Sequence, residues 1–159
     1  MGRTAPVANA ALTRRVASHS SVSTRFFRFP KIADPRGNLT FIENERHIPF
    51  EIKRVFYLYD IPTAESRGAH AHRTLEQVVI CLSGSFDILL DDGVERRHVH
   101  LNRPWQGLYI PPMIWAAEEN FDAGSVCLVL TSQLFNEADY YREYEEYVAA
   151  NLIAEAAAG

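Results

Sequence analysis

From residue 24 onward, short apolar runs alternate with clusters of turn-forming residues, and nearly every run has the length of a strand. Residues 25–29, Arg-Phe-Phe-Arg-Phe, stop at Pro30. Residues 34–38, Asp-Pro-Arg-Gly-Asn, predict a turn, because each of Asp, Pro, Gly and Asn favours turn geometry for its own steric reason. The β pattern resumes at 39–43, and residues 53–59 are aromatic and β-branched, as a strand packed on both faces would be. A linker at 60–66 leads into residues 67–84, where alternation gives way to the run Val78-Val79-Ile80-Cys81-Leu82. Asp92-Gly93 between the runs 85–90 and 94–101 predicts a hairpin. Residues 106–116 read as a strand, a proline-fixed turn at Pro111-Pro112 and the start of another strand, and 126–130 as a central strand. Only the end is helical, with Asn136 as cap and Tyr140, Tyr144, Tyr147 and Val148 spaced to share one face. About ten short strands and one late helix predict an all-β antiparallel jelly roll or barrel, whose interior can hold a ligand.

A length of 159 residues and a hydrophobic content of 47% fit one domain with a proper core. The net charge of -4 argues against a nucleic-acid surface and directs attention to a small molecule or another protein. Cys81 and Cys127 both lie in apolar runs, so they read as buried hydrophobes rather than a disulfide framework. Residues 1–23 are rich in Ala, Ser, Thr and Arg and hold no acidic residue, which predicts a disordered extension ahead of a domain at 24–150. The Ala-rich segment 151–159 is expected to fray. No run approaches the roughly 20 apolar residues of a membrane span, so a soluble, cytoplasmic protein is expected.

The candidate chemistry lies in the stretch Arg67-Gly68-Ala69-His70-Ala71-His72-Arg73-Thr74-Leu75-Glu76. On a strand, His70 and His72 point to the same face, because side chains alternate. Glu76 follows four residues later and heads the next apolar run. Two imidazoles and a carboxylate make either a metal site or an acid–base site. A second alternating pair, His98 and His100, shares its side with Arg96 and is expected to face solvent.

The run from His70 through Glu76 to Gly84 resembles the first motif of the cupins, and Gly107 through Pro111 to Asn120 resembles a worn second motif. Where metal-binding cupins supply a further His from that second motif, this chain has Ala116. More specifically, the chain resembles the WxcM-like sugar 3,4-ketoisomerases, RmlC-like cupins that act on thymidine-diphosphate-linked 4-keto-6-deoxyhexoses. The similar stretches are Asp34-x-Arg36-Gly37, Ile48-Pro49-Phe50-x-Ile52-Lys53-Arg54-Val55, Arg67-Gly68-x-His70-Ala71-His72, Leu75-Glu76-Gln77, Leu89-x-Asp91-Asp92-Gly93, Gly107-Leu108-Tyr109 and Tyr140-x-Arg142-x-Tyr144.

The resemblance implies a cupin jelly roll and a shift of a sugar ketone from C4 to C3 through an enediolate, with neither metal nor other cofactor. A neutral-pH base must remove and return a proton, and His, with an unperturbed pKa of about 6.5, suits that task. His70 is expected to serve as the carbon base and His72 to handle the hydroxyl side, with Glu76 orienting one imidazole. Arg36, Arg54 and Arg67 are expected to grip the diphosphate. Tyr57, Tyr59, Tyr109 and Trp115 are candidate surfaces for sugar and base. Two other classes fit the same residues: a metal-dependent cupin holding its ion through His70, His72 and Glu76, and a non-catalytic nucleotide-sugar binder. A 3,5-epimerase on the same fold is a related possibility. The three phenylalanines of 25–29 are more than a short strand can bury alone, which predicts that it pairs with a partner subunit in a homodimer.

Overall fold

The computed structural model describes residues 24–159, so the extension expected at 1–23 lies outside the described residues. The strands in chain order are β1 Arg25–Arg28, β2 Lys31–Ile32, β3 Leu39–Thr40, β4 Arg54–Leu58, β5 Arg67–His72 and β6 Gln77–Ser83. They continue as β7 Phe86–Asp91, β8 Arg96–Leu101, β9 Gln106–Ile110, β10 Trp115–Glu119, β11 Val126–Thr131 and β12 Tyr140–Tyr141. One helix, α1 Tyr144–Ala158, ends the chain.

Two five-stranded antiparallel sheets, ordered β1-β9-β6-β11-β4 and β12-β5-β10-β7-β8, face each other as the jelly roll the strand pattern predicts. Their inner faces meet in one core that includes Val79, Cys81, Phe86, Ile88, Leu90, Leu108, Ala116, Cys127 and Val129. The Asp-Gly hairpin joins β7 to β8, with Asp91 opposite Arg96 and Gly93 at a positive φ of 91°. Cys81 and Cys127 are buried free thiols on paired strands. His98 and His100 are exposed on β8, as expected, and meet Glu119 and Asp87 there.

Each sheet also needs a cover on its outer face. Phe29, Ile48 and Phe50 close over Val78, Ile80 and Leu130 on the first sheet. On the second, α1 and β12 bury Ala71 and Trp115 beneath Tyr141 and Tyr147. The fully buried Tyr147 anchors the helix through its hydroxyl, which donates to the carbonyls of Asp91 at 2.8 Å and Met113 at 3.1 Å. Burial of a side chain of this size contributes roughly 1.5–3 kcal/mol.

Three expectations change. β1 pairs within its own chain, Arg25 to Arg28 against β9, and Phe27 and Phe29 join the first sheet's outer cluster, leaving only Phe26 exposed. The strand therefore finds its pairing, and cover for Phe27 and Phe29, within its own chain. Asn136 caps a short 3₁₀ helix, Glu137–Asp139, by accepting from the Ala138 N–H, and Tyr140 lies on β12 rather than on the helical face. The α-helix starts later and continues through Ala158, so the segment from 151 is helical.

Candidate active site

β5 carries the site because its inward row faces the space between the sheets. His70 lies opposite Ala116 of β10, an inner-core residue, and His72 lies two steps further along. The ladder then slips: Ala116 pairs with His70, yet Glu118 pairs with Arg67, so β5 spends one extra residue over the same interval. Gly68 absorbs the slip at φ 72°, a left-handed conformation that glycine adopts without strain. Opposite residues share a face, so the bulge turns Arg67 to the side of Glu118 and the histidines despite an odd spacing from His70.

The imidazoles touch. His70 Nε2 and His72 Nε2 are 3.1 Å apart, with ring centroids 4.8 Å apart in an edge-on arrangement. Behind them, His72 Nδ1 lies 3.1 Å from Asp139 Oδ2, and both side chains are almost fully buried. Asp139 comes from the 3₁₀ helix and is itself held by Thr74 Oγ1 at 2.7 Å and by the N–H groups of Thr74 at 2.9 Å and Leu75 at 3.2 Å. Burial alone would raise this carboxyl, but those hydrogen bonds outweigh it and its pKa falls below the usual range. It is therefore an anion.

Charge and burial set the protonation of the pair. Burial, then the neighbouring His72 and Arg142, push His70 down to about 4. Burial also lowers His72, against the opposing pull of Asp139. Both rings are neutral near pH 7. An ionised Asp139 accepts only, so the proton of His72 belongs on Nδ1 and its Nε2 accepts from His70 Nε2–H. That assignment leaves Nδ1 of His70 as the lone-pair nitrogen of the relay. Tyr140 lies against both rings at 4.8 and 4.4 Å, and Arg142 stacks on Tyr140 at 4.1 Å while its guanidinium binds Glu137. Arg54 adds positive charge near both imidazoles, and its Nε is buried without a hydrogen-bond partner.

Other predicted residues lie elsewhere. Glu76 points to the opposite face of the first sheet, where it accepts from the Tyr109 hydroxyl at 2.6 Å; the carboxylate that orients an imidazole is Asp139 instead. Trp115 is turned from its neighbour Ala116 to the outer face and packs on Tyr144 and Tyr147, which makes it a cover residue for α1. Tyr57 of β4 and Tyr59 just beyond it lie side by side and exposed, Tyr57 on the face opposite Arg54, Phe56 and Leu58. Arg36 is exposed on its turn, where it forms a two-pronged contact with Asp34 at 2.8 and 3.0 Å. With Glu76 facing away, His70 and His72 have no third donor from that residue, and no three His, Cys, Asp or Glu side chains converge as a metal site among the described residues.

Asp139, Tyr140 and Arg142 complete the site and were not singled out from the sequence as its members. The one signal was the Tyr140-x-Arg142-x-Tyr144 stretch, which shares in the family resemblance.

The chain as a whole is similar to known proteins. The chain is 42% identical over 126 residues, 79% of its length and 91% of the relative, to a TDP-4-oxo-6-deoxy-alpha-D-glucose-3,4-oxoisomerase of Aneurinibacillus thermoaerophilus. Among solved structures it superposes with a TM-score of 0.80 on a point mutant of the 3,4-ketoisomerase QdtA from Thermoanaerobacterium thermosaccharolyticum in complex with TDP-4-keto-6-deoxyglucose. That match has 41% identity and covers 81% of this chain and 94% of that one. The WlaRB TDP-quinovose 3,4-ketoisomerase of Campylobacter jejuni gives 0.76 at 44% identity, over 79% of this chain and 97% of that one. The fold is thus a jelly roll of the RmlC-like cupin type. The model of the family described as FdtA: WxcM-like, C-terminal, matches residues 22–151, a span that takes in every strand and the linked histidines, and the chain belongs to that family.

Proposed function

We propose that this protein is a nucleotide-sugar 3,4-ketoisomerase that moves the ketone of a thymidine-diphosphate-linked 4-keto-6-deoxyhexose from C4 to C3. The observation that carries the reading is the relay His70–His72–Asp139 on the inner wall of the jelly roll, in a chain whose relatives bear that activity. The hydrogen on C3 of such a sugar is acidified by the adjacent carbonyl. A neutral His70 takes it, and the electron pair forms an enediolate; returning the proton at C4 leaves the ketone at C3. As His70 becomes cationic, its Nε2 proton can pass toward His72, whose own cationic form Asp139 stabilises. The positive charges of Arg54 and Arg142 favour the developing enediolate. No redox cofactor enters, and we infer that none of the steps uses a metal.

Arg54 and Arg67 share the face of the histidines and are our candidates for the diphosphate. We also infer a homodimer, formed on the outer face of the first sheet. There Val55, Tyr57 and Tyr59 are exposed beside an apolar groove lined by Ile42, Ile52, Ile80, Leu82, Leu128 and Leu130. Light scattering that gives a monomer would remove that inference.

The deciding experiment is incubation with TDP-4-keto-6-deoxyglucose in deuterated water, followed by NMR of the product. Expected is a C3 ketone, with deuterium at C4 to the extent that the His70 imidazolium exchanges with solvent before the proton is returned, and a rate unaffected by EDTA. A ketone that stays at C4 with deuterium at C3 and C5 would make the protein an epimerase. Binding without turnover would make it a sugar-binding module, and loss of rate on chelation, restored by one divalent ion, would make it a metal enzyme.

A further inference from the structure

One buried acid on the inner wall is left over from the relay. Glu118 of β10 lies on the same face as Ala116, the partner of His70, and its carboxyl fills the place that a side chain at Gly68 would take. A Cβ built at Gly68 would collide with Glu118 Oε2 and lie 2.9 Å from its Cδ. The absence of a side chain at 68 therefore makes room for this carboxyl. The inward row of the wall reads Glu118, His70, His72, and strand rise puts the places of Gly68 and His70 about 7 Å apart. Although Glu118 as a residue is only partly buried, its Oε2 is shielded from solvent and has no hydrogen-bond partner. Such an atom is costly to leave unpaired unless a ligand supplies the partner.

A second observation gives this acid work to do. His72 has both ring nitrogens committed, one to His70 and one to Asp139, so it has none left for a sugar hydroxyl. The hydroxyl side of the isomerisation, which the sequence assigns to His72, needs another group. We propose that Glu118 is a second catalytic acid–base residue, carrying a proton between O3 and O4 of the sugar while His70 carries the other between C3 and C4.

The steps balance. His70 removes the C3 proton; the C3–H pair becomes the C3=C4 bond, and the carbonyl pair moves to O4, which takes the proton of the Glu118 carboxyl. The Glu118 carboxylate then takes the proton from O3 as the C3=O bond forms, and the C3=C4 pair takes the proton of the His70 imidazolium at C4. Both side chains return to their starting states and no oxidant is consumed. Burial raises the Glu118 carboxyl to about 7, against the pull of its own backbone N–H and of Arg67, so a protonated acid is available near neutral pH.

The inference rests on the ketoisomerase reading, so the test first requires turnover by the wild type; its absence would count against that reading and remove the basis of this one. Given turnover, Glu118→Gln and Glu118→Leu are compared with wild type for kcat, for TDP affinity by calorimetry and for Tm. Expected is a fall in kcat of about 10²-fold or more in both variants, within the range general acid–base catalysis supplies, with TDP affinity and Tm retained. Glu118→Asp, which keeps the acid, is expected to recover part of the rate. A kcat near wild type in either variant overturns the proposal, as does a parallel loss of Tm and TDP affinity in both, which would mark a structural role.

Discussion

Asp139 reaches His72 across 67 residues of sequence, carboxylate to ring nitrogen, from a 3₁₀ helix outside both five-stranded sheets. Replacing it by Asn keeps the shape but offers an N–H where His72 Nδ1–H needs an acceptor. His72 would respond by moving its proton to Nε2, which turns the whole relay round and places a proton on the free nitrogen of His70. Asp139→Asn should therefore cost about 10²- to 10⁴-fold in kcat, with TDP affinity kept. Asp139→Ala should in addition lower stability by roughly 1–3 kcal/mol, since donors from Thr74 and Leu75 lose their acceptor. Steady-state kinetics beside chemical denaturation separates the two effects.

His70→Asn should remove the base and leave the fold and nucleotide affinity intact, because the amide is similar in size and cannot take a proton. The expected loss of rate is about 10²- to 10⁴-fold. Retention of more than about a tenth of the activity would reassign the base.

The depressed pKa of His70 also predicts an acid limb. Its pKa is about 4 in the folded protein, against 6.5 for the ordinary side chain, so kcat/KM should hold through pH 6 and fall only near its folded value. Stability carries the same signature. Between 6.5 and about 4 the unfolded chain holds a proton on this residue that the native protein lacks, so acidification through that window favours unfolding. Native carboxylates held low, Asp139 among them, act in the same direction. The difference between wild type and His70→Asn isolates the imidazole: the variant should lose less Tm between neutral pH and the lower end of the window. Equal losses would place His70 in contact with water.

Glu76 and Tyr109 form a contact on the far side of the sheet from the histidines. Tyr109→Phe removes the donor and should cost about 0.5–1.5 kcal/mol of stability, with kcat changed less than about twofold. Glu76→Gln keeps an acceptor for the hydroxyl and should change kcat equally little. A loss of rate in both, at unchanged Tm, would bring that contact into the chemistry.

The part of the site that lies on one strand was legible in the sequence, because the alternation of a strand leaves little choice about where His70 and His72 point. Glu76 was misplaced because Val78, Val79, Ile80 and Cys81 are all apolar, so no alternation marks which of them face inward and which way the residue before Gln77 points. Trp115 was misread for a related reason: a large ring next to Ala116 offers stacking surface to a ligand or to a helix equally well, and only the docking of α1 decides. Asp139 gave no signal, since its role depends on a contact between distant segments. The hairpin, the exposed pair His98 and His100, and the free buried thiols followed from local rules, and the fold bears them out.

The slip of the ladder at Gly68 acts on β5 as a change of phase. Without it, Arg67 and His70 would stand half a period out of step, one on each side of the sheet. The slip brings a cation, a base and its relay partner onto a single wall, and the same glycine leaves a notch that Glu118 occupies. The wall is therefore tuned to a count of residues as much as to their identity. Deleting Ala69 would restore a regular ladder with Arg67 still opposite Glu118, but it would turn Gly68 to the other face and close the notch in which the Glu118 carboxyl sits.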